Sequence, residues 1–202
     1  MKEFTRRFAV PLDAARPRGA RLLEAFSPKL NRRVRLFDRA SFEQWIRLEA
    51  DPSAVWLCER PIRVDAASDK RLIDFWVQRP DGEQLLLVDR PAEAAPETVD
   101  GIPVRLIAAA ELASAATWVA NWQRMLPVVV ATRALLPEGL THSVLRFVCA
   151  PIALSLLEHQ FSMGDPPVVR GAIFELLRTG QLRAPSLHNQ PLSLRTLLEP
   201  AE

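Results

Sequence analysis

Three carboxylates and one arginine lie where they could act together on a phosphodiester. Glu43 falls in an early segment with helical periodicity, Asp74 stands inside the apolar run "LIDFWV", and Asp89-Arg90 end the run "LLLVDR". Metal-dependent phosphodiester hydrolysis uses carboxylates that converge on a hard cation and a positive group near the scissile phosphate. The sequence therefore predicts Glu43, Asp74 and Asp89 as ligands of Mg²⁺ or Mn²⁺, and these three together with Arg90 as candidate catalytic residues.

Each of these residues also has an ordinary structural explanation. Glu43 can pair with Arg47 one turn further along a helix, and Asp89-Arg90 can be an ion pair at a strand end that contributes little. Asp74 is the stronger candidate, because a carboxylate in an apolar strand is costly unless it is paired, hydrogen-bonded or bound to a metal. The residues alone leave both explanations open.

Hydrophobic spacing, together with proline and glycine as breaks, predicts the elements that would position these side chains. A short strand "RRVRLFDR" precedes a helix "SFEQWIRLEA", for which Ser41 is the predicted N-cap. Strands follow in "AVWLCERPIRV", "RLIDFWVQ", "QLLLVDR" and "IPVRLIA", and a Pro-Asp-Gly turn joins the middle two as a hairpin. A helix over "AAELASAATWVANWQRML" completes an α/β unit.

The remaining sequence predicts two helices, "THSVLRFVCAPIALSLLEHQF" and "DPPVVRGAIFELLRTGQL", and a tail whose short alternating runs suit a two-stranded wing. Helix, helix and hairpin predict a small winged-helix-like module. The alternative is a helical pair that only covers the sheet. The predicted division is a basic N-terminal arm at residues 1–29, an α/β domain at 30–135 and the winged-helix-like module at 136–202.

Basic residues are concentrated near the N-terminus although the formal net charge is only +2. The first forty residues contain eleven lysines and arginines against four acids, a balance that suits contacts to phosphate but also an ordinary solvated terminus. The predicted DNA contacts are Arg32, Arg33, Arg35, Lys70, Arg170, Arg178, Arg183 and Arg195. A solvated helix face explains the C-terminal members of this set equally well.

Several other functions find no support in the sequence. The two cysteines and three histidines lack the spacing of a metal site, and Cys58 and Cys149 lie in apolar runs that predict reduced core thiols in a cytoplasmic protein. No stretch is long and apolar enough for a membrane span. Phosphate-binding loops, dinucleotide fingerprints and serine or cysteine hydrolase motifs are missing as well.

The stretches "SFEQWIRLEADPSAVWLCERPIRV", "RLIDFWVQRPDGEQLLLVDRP" and "GIPVRLIAAAEL" together resemble the TnsA-like endonucleases of heteromeric transposases, over roughly residues 30–125. The resemblance implies a restriction-endonuclease-like fold, with a central mixed sheet flanked by helices and a winged-helix module after it. It makes Glu43 the helix acid and Asp74 the strand acid of a metal site. It also implies cleavage of the 5′ strand at the double-stranded DNA of transposon ends, beside a partner transposase and an ATPase regulator.

The third catalytic element departs from the family pattern. The pattern has an acid or glutamine, one residue and then lysine before proline, whereas this chain has "LLLVDRP" and no lysines other than Lys2, Lys29 and Lys70. Arg90 can neutralise phosphate charge, but with a pKa above about 12 it cannot shuttle a proton. Three hypotheses follow: a TnsA-like endonuclease, a TnsA-like scaffold that no longer cleaves, and a winged-helix DNA-binding regulator.

Overall fold

The computed structural model describes residues 7–66, 69–89, 96–161 and 165–201, with the backbone alone for residues 65–66 and 69–71. It has a mixed α/β architecture, as predicted, in two compact units. The first unit comprises residues 1–48 and 53–113, and the second comprises residues 49–52 and 114–202. The chain thus passes into the second unit at Ser114, inside the single helix that the sequence predicts over residues 109–126. The structure has two helices there, Ala109–Ser114 and Ala116–Thr132, so the prediction of one helix was wrong.

The first unit is built around a five-stranded mixed sheet. Up to residue 114 the described strands and helices are β1 (Leu23–Ser27), β2 (Arg32–Leu36), α1 (Arg39–Ala50), β3 (Trp56–Glu59), β4 (Arg63–Ala66), β5 (Asp69–Leu72), β6 (Phe75–Arg79), β7 (Gly82–Val88), β8 (Thr98–Val99), β9 (Ile102–Ile107) and α2 (Ala109–Ser114). The sheet order is β3-β6-β7-β9-β8, in which only the β7–β9 pair is parallel. β1–β2 and β4–β5 are separate antiparallel hairpins.

The predicted hairpin is confirmed as β6 and β7, which pair from Phe75 opposite Leu86 to Arg79 opposite Gly82. Trp76, Leu85 and Leu87 belong to a fully buried cluster of the sheet. Full burial of such side chains contributes about 1.5–3 kcal/mol each. The apolar runs of this hairpin therefore hold the centre of the unit together.

Helix α1 begins two residues before the predicted cap. The Asp38 carboxylate accepts hydrogen bonds from the Ser41 backbone N–H at 2.7 Å and from the Ser41 hydroxyl at 2.9 Å. Asp38 therefore satisfies a free donor of the first turn, and the prediction of Ser41 as N-cap was wrong. Trp45, Ile46 and Leu48 are buried along the helix.

The second unit contains most of the helices. Its elements are α3 (Ala116–Thr132), α4 (Leu140–Phe147), β10 (Ile152–Ala153), α5 (Leu154–Phe161), α6 (Pro166–Arg178), β11 (Leu182–Arg183), a 3-10 turn (Pro185–His188) and β12 (Leu197–Pro200). The strands form a small antiparallel sheet in the order β10-β12-β11. The single helix predicted over residues 141–161 is two helices, because Pro151 cannot continue a helix and disfavours helical geometry in the residue before it.

Helix α6 is the buried centre of the second unit. It begins with Pro166, as predicted, and Gly180 takes φ +72° just after it ends. Its buried side includes Gly171, which faces Thr132 of α3. The absence of a side chain at Gly171 lets the two helices approach closely.

A buried asparagine fixes the loop between β11 and β12. The Asn121 amide donates to the carbonyls of Leu187 and Gln190 at 2.8 Å each, and its side-chain oxygen accepts from the Leu192 N–H at 2.7 Å. Trp118 stacks on His188 with ring centroids 4.1 Å apart. The loop between β11 and β12 is therefore anchored to α3.

The two cysteines differ in environment. Cys58 is buried, and burial raises the pKa of its thiol to about 12, so that it is neutral at physiological pH. Cys149 is exposed, which overturns the prediction that it is a core residue. In the part of the chain that the structure describes, no helix is long and apolar enough to cross a membrane.

The close approach of α3 and α6 can be tested with Gly171→Ala. A Cβ at this position would lie 1.9 Å from the Thr132 hydroxyl oxygen. We expect the substitution to lower the free energy of unfolding by about 1–3 kcal/mol, because overpacking outweighs the better helix propensity of alanine. Urea denaturation followed by circular dichroism measures the change.

Thr132→Ala supplies the control for this experiment, because it removes the hydroxyl and methyl that the new Cβ would meet. The double variant should lose less stability than the sum of the two single variants. Unchanged or increased stability of Gly171→Ala alone would show that the helices do not meet at this point.

Candidate functional site

Asp74 lies between β5, which ends at Leu72, and β6, which begins at Phe75. The sequence instead predicts one continuous strand through this position. Its carboxylate accepts a hydrogen bond from the Val88 N–H at 2.8 Å, and its own N–H donates to the Leu86 carbonyl at 3.1 Å. The carboxylate thus joins the start of β6 to the end of β7. The structure thus brings the Asp74 carboxylate to the backbone of Val88, the residue that precedes Asp89.

Asp89 follows β7 and is exposed, with a backbone φ of +49°. Its N–H donates to the Ile107 carbonyl at 2.8 Å, which continues the pairing of β7 with β9. Aspartate tolerates this left-handed conformation better than most residues. Arg90, the predicted positive group, lies outside the described residues.

Glu43 lies on α1 and is paired within the helix. Its carboxylate accepts from the Arg39 Nε at 2.6 Å, one turn earlier. Arg47, the partner considered from the sequence, instead donates to Gln44 and to Glu111 at 2.8 Å. The pairing of Glu43 with Arg47 was therefore wrong, although the local explanation for Glu43 as half of a helix ion pair holds.

A metal site of the predicted kind needs several ligands close together. Mg²⁺ binds through several oxygens in near-ideal octahedral geometry. Among residues 7–64, 72–89, 96–161 and 165–201, whose side chains the structure describes, no group of three or more His, Cys, Asp or Glu residues is arranged to hold a metal ion. Glu43, Asp74 and Asp89 are therefore not grouped as a set of three in the structure, and their role as metal ligands stays a prediction.

A second candidate site lies at the β1–β2 hairpin. A cavity of about 380 Å³ is lined by the N-terminal segment at residues 11–16, by this hairpin and by the end of β3. We call it the arginine groove, because its lining includes Arg16, Arg32, Arg33, Arg35 and Arg60. The acids in this lining are Asp13 and Glu59. Three of the predicted DNA contacts, Arg32, Arg33 and Arg35, thus come together in one concave surface.

One of the two acids is fully committed to Arg32. The Arg32 guanidinium donates to both Glu59 carboxylate oxygens, at 2.7 and 2.6 Å, and the Glu59 side chain is only 2% exposed. The hydrogen bonds to Glu59 raise the pKa of Arg32 above its ordinary value. Arg32 therefore acts as a structural cation that neutralises a buried acid.

Arg33 and Arg35 project from one side of β2, because side chains alternate along a strand and the intervening Val34 is buried. Arg35 donates to Glu24 at 2.8 Å in an exposed pair, which contributes little and is easily exchanged for another anion. Among the described residues, neither Arg33 nor Arg16 has an acidic partner. These guanidiniums are available for an external anion.

Arg60 was missed by the sequence reasoning. It follows β3 with φ +49°, uncommon for a residue with a side chain, and its guanidinium lies 5.0 Å from the Phe37 ring centroid. It donates to the backbone carbonyls of Arg35 and Leu12. The signal in the sequence is the acid-base pair Glu59-Arg60 just before Pro61, at the end of an apolar strand.

The other predicted DNA contacts are distributed differently. Arg170 donates to both oxygens of Glu158, and Arg178 to both oxygens of Glu175. Burial lowers the pKa of Arg178, but hydrogen bonds to Glu175 and the charges of Glu175 and Glu49 outweigh it and raise the pKa. The side chain of Lys70, in β5, lies outside the described residues. Arg183 and Arg195 are exposed, in β11 and in the loop before β12.

Comparison with known proteins adds no family to these observations. No family model matches the chain, and no curated protein matches it significantly.

The role of Asp74 can be tested through stability. Asp74→Ala leaves the buried Val88 N–H without this acceptor, so we expect the free energy of unfolding to fall by about 1–3 kcal/mol. Asp74→Asn keeps a carbonyl oxygen that can accept the same bond and should lose less. Urea denaturation of the metal-free protein measures both.

Asp89→Asn is the matched control, because it neutralises an exposed carboxylate at a neighbouring strand end and suits the positive φ. It should change stability by no more than about 0.5 kcal/mol. If Asp74→Asn and Asp89→Asn both stabilise the metal-free protein, the carboxylates repel one another as in a metal site, and the structural role of Asp74 is rejected.

Proposed function

We propose that this protein is a DNA-binding assembly subunit of the TnsA-like kind, which holds the phosphate backbone of transposon-end DNA in the arginine groove and does not itself cleave. The observation that carries the proposal is the convergence of Arg16, Arg33 and Arg35 on one cavity in which Arg32 already neutralises Glu59. Because Glu59 is neutralised by Arg32, it does not cancel the charges of the exposed Arg33 and Arg35.

The chemistry of the groove supports phosphate as the ligand. A guanidinium presents a planar fork of donors that matches phosphate oxygens and keeps its charge at any physiological pH. Arg33 and Arg35 are held on a strand that pairs along its whole length with β1. Rigid placement of two guanidiniums lowers the entropy lost when an anion binds.

The second unit supports a subsidiary contact. Its order of elements, from α4 through β10, α5, α6 and β11 to β12, is compatible with a winged-helix-like module, in which α6 would correspond to the recognition helix. Most of α6 is buried, and its Arg170 and Arg178 are bound to acids. We therefore assign the phosphate contact in this unit to the exposed Arg195 rather than to α6.

The partner transposase and the ATPase regulator follow from the TnsA-like resemblance. A subunit that grips DNA without cutting it contributes by positioning the end for a catalytic partner, and this is the role we assign. The missing lysine of the third element and the absence of a three-carboxylate cluster among the described side chains both favour this role.

The endonuclease itself is the second candidate, and one observation favours it. Asp74 and the end of β7 are hydrogen-bonded neighbours, so the strand acid and the third element lie together as the resemblance implies. Nicking of supercoiled plasmid with Mg²⁺ or Mn²⁺, abolished in Asp74→Asn, would select this candidate over the scaffold.

The groove is tested by the salt dependence of DNA binding. We expect Arg33→Ala and Arg35→Ala each to weaken binding to a short duplex and to reduce the slope of log K against log salt by about 1, because each removes a phosphate contact. Fluorescence anisotropy across a range of salt concentrations measures both quantities.

Arg105→Ala is the control, since Arg105 is a partly exposed arginine of the same unit that lies on β9, outside the groove. It removes the same formal charge and should leave the slope unchanged. Equal losses in Arg33→Ala and Arg105→Ala would mean that only net charge matters, and the groove would not be the binding site.

A further inference from the structure

The arginine groove has an apolar wall as well as a charged one. Leu22 and Phe37 line it together with the arginines. Leu22 comes directly before β1 and Phe37 directly after β2, next to the outermost pair of the hairpin, Leu23 opposite Leu36. Leu22 is 43% exposed, an unusual position for a large apolar side chain at the edge of a charged cavity. A duplex backbone offers this wall only the small apolar surface of its sugars, whereas an unpaired base offers a whole aromatic face.

The size of the cavity also fits a single nucleotide. At about 380 Å³ it lies at the small end of the range for ligand pockets, roughly 300–1,000 Å³. A single nucleotide can therefore fill much of the cavity. Its two walls match the two halves of a nucleotide, because guanidinium binds phosphate and an aromatic ring stacks on a base.

Arg60 holds the aromatic ring in place. Its guanidinium lies over Phe37 and is tied to the backbone carbonyls of Arg35 and Leu12. Burial lowers the pKa of Arg60, and the nearby charge of Glu59 opposes this shift. An anion bound in the groove would likewise favour the charged form of Arg60.

We infer that the groove captures one unpaired nucleotide of a DNA end, with its phosphate on Arg33 and Arg35 and its base against Phe37 and Leu22. The inference rests on the proposed function, since it specifies which part of the DNA enters the groove. It predicts a preference for ends with a single-stranded overhang over blunt ends. Base stacking on an aromatic side chain contributes about 1–3 kcal/mol per base. The lower part of this range, about 1.4 kcal/mol, corresponds to the tenfold preference that we expect.

The test compares three DNA probes of identical duplex sequence: a blunt end, a short overhang, and the same overhang with abasic sugars. Fluorescence anisotropy of the full-length protein gives the dissociation constants. We expect the overhang to bind about tenfold more tightly than the blunt end, and the abasic overhang to lose most of this preference because it keeps phosphates but no base.

Single substitutions distinguish the contribution of the apolar wall to DNA binding from that of the charged wall. Phe37→Leu keeps apolar packing but removes the ring, so it should abolish the preference for the overhang over the blunt end. Arg33→Ala should weaken binding of all three probes. Val55→Ala is the control, because Val55 is an apolar residue outside the groove that is 38% exposed. It should change neither the preference for the overhang nor the affinity for any of the three probes.

Each outcome decides a separate claim. Equal affinity of the wild type for blunt and overhang probes, or a preference that survives in Phe37→Leu, overturns the nucleotide site while DNA binding stands. An abasic overhang that binds as tightly as the intact one also overturns it, because phosphate alone would then explain the preference. Failure to bind any probe rejects the proposed function, and the nucleotide site with it.

Discussion

The buried ion pair between Arg32 and Glu59 is the interaction on which the candidate site depends. It joins β2 to the end of β3 and places both charges in a geometry with two hydrogen bonds. A buried carboxylate without such a partner would be costly, and a second free acid in the groove would cancel the charge of its neighbours. Because Arg32 satisfies Glu59, the adjacent Arg33 and Arg35 remain available to an external phosphate.

The same physical rule distinguishes the arginines of the two units. Arg170 and Arg178 face acids from their own unit at hydrogen-bonding distance, so an incoming phosphate would have to displace a charge already in place. Arg33 lies on an exposed strand face, and Arg35 makes only an exposed pair with Glu24. A positive charge contributes to DNA binding only when it is not already neutralised inside the protein.

The sequence predicted the elements better than it predicted the site. Alternation and the Pro-Asp-Gly turn defined β6 and β7, and Arg33 and Arg35 were identified from local charge. Arg60 was not, because its position depends on a left-handed residue after β3 and on Phe37 and Leu12, which come from other parts of the chain. Spacing likewise placed Asp74 near the end of β7, but it could not show that the Val88 N–H would bind the carboxylate.

The most direct test of the account is to record the arginine side-chain Nε–H resonances by NMR while a DNA duplex with an overhang is added. The account predicts that the signals of Arg16, Arg33 and Arg35 shift first, while those of Arg170 and Arg178 stay unchanged because their acidic partners hold them. Shifts confined to Arg183 and Arg195, with the groove arginines unaffected, would contradict it and place the DNA on the second unit.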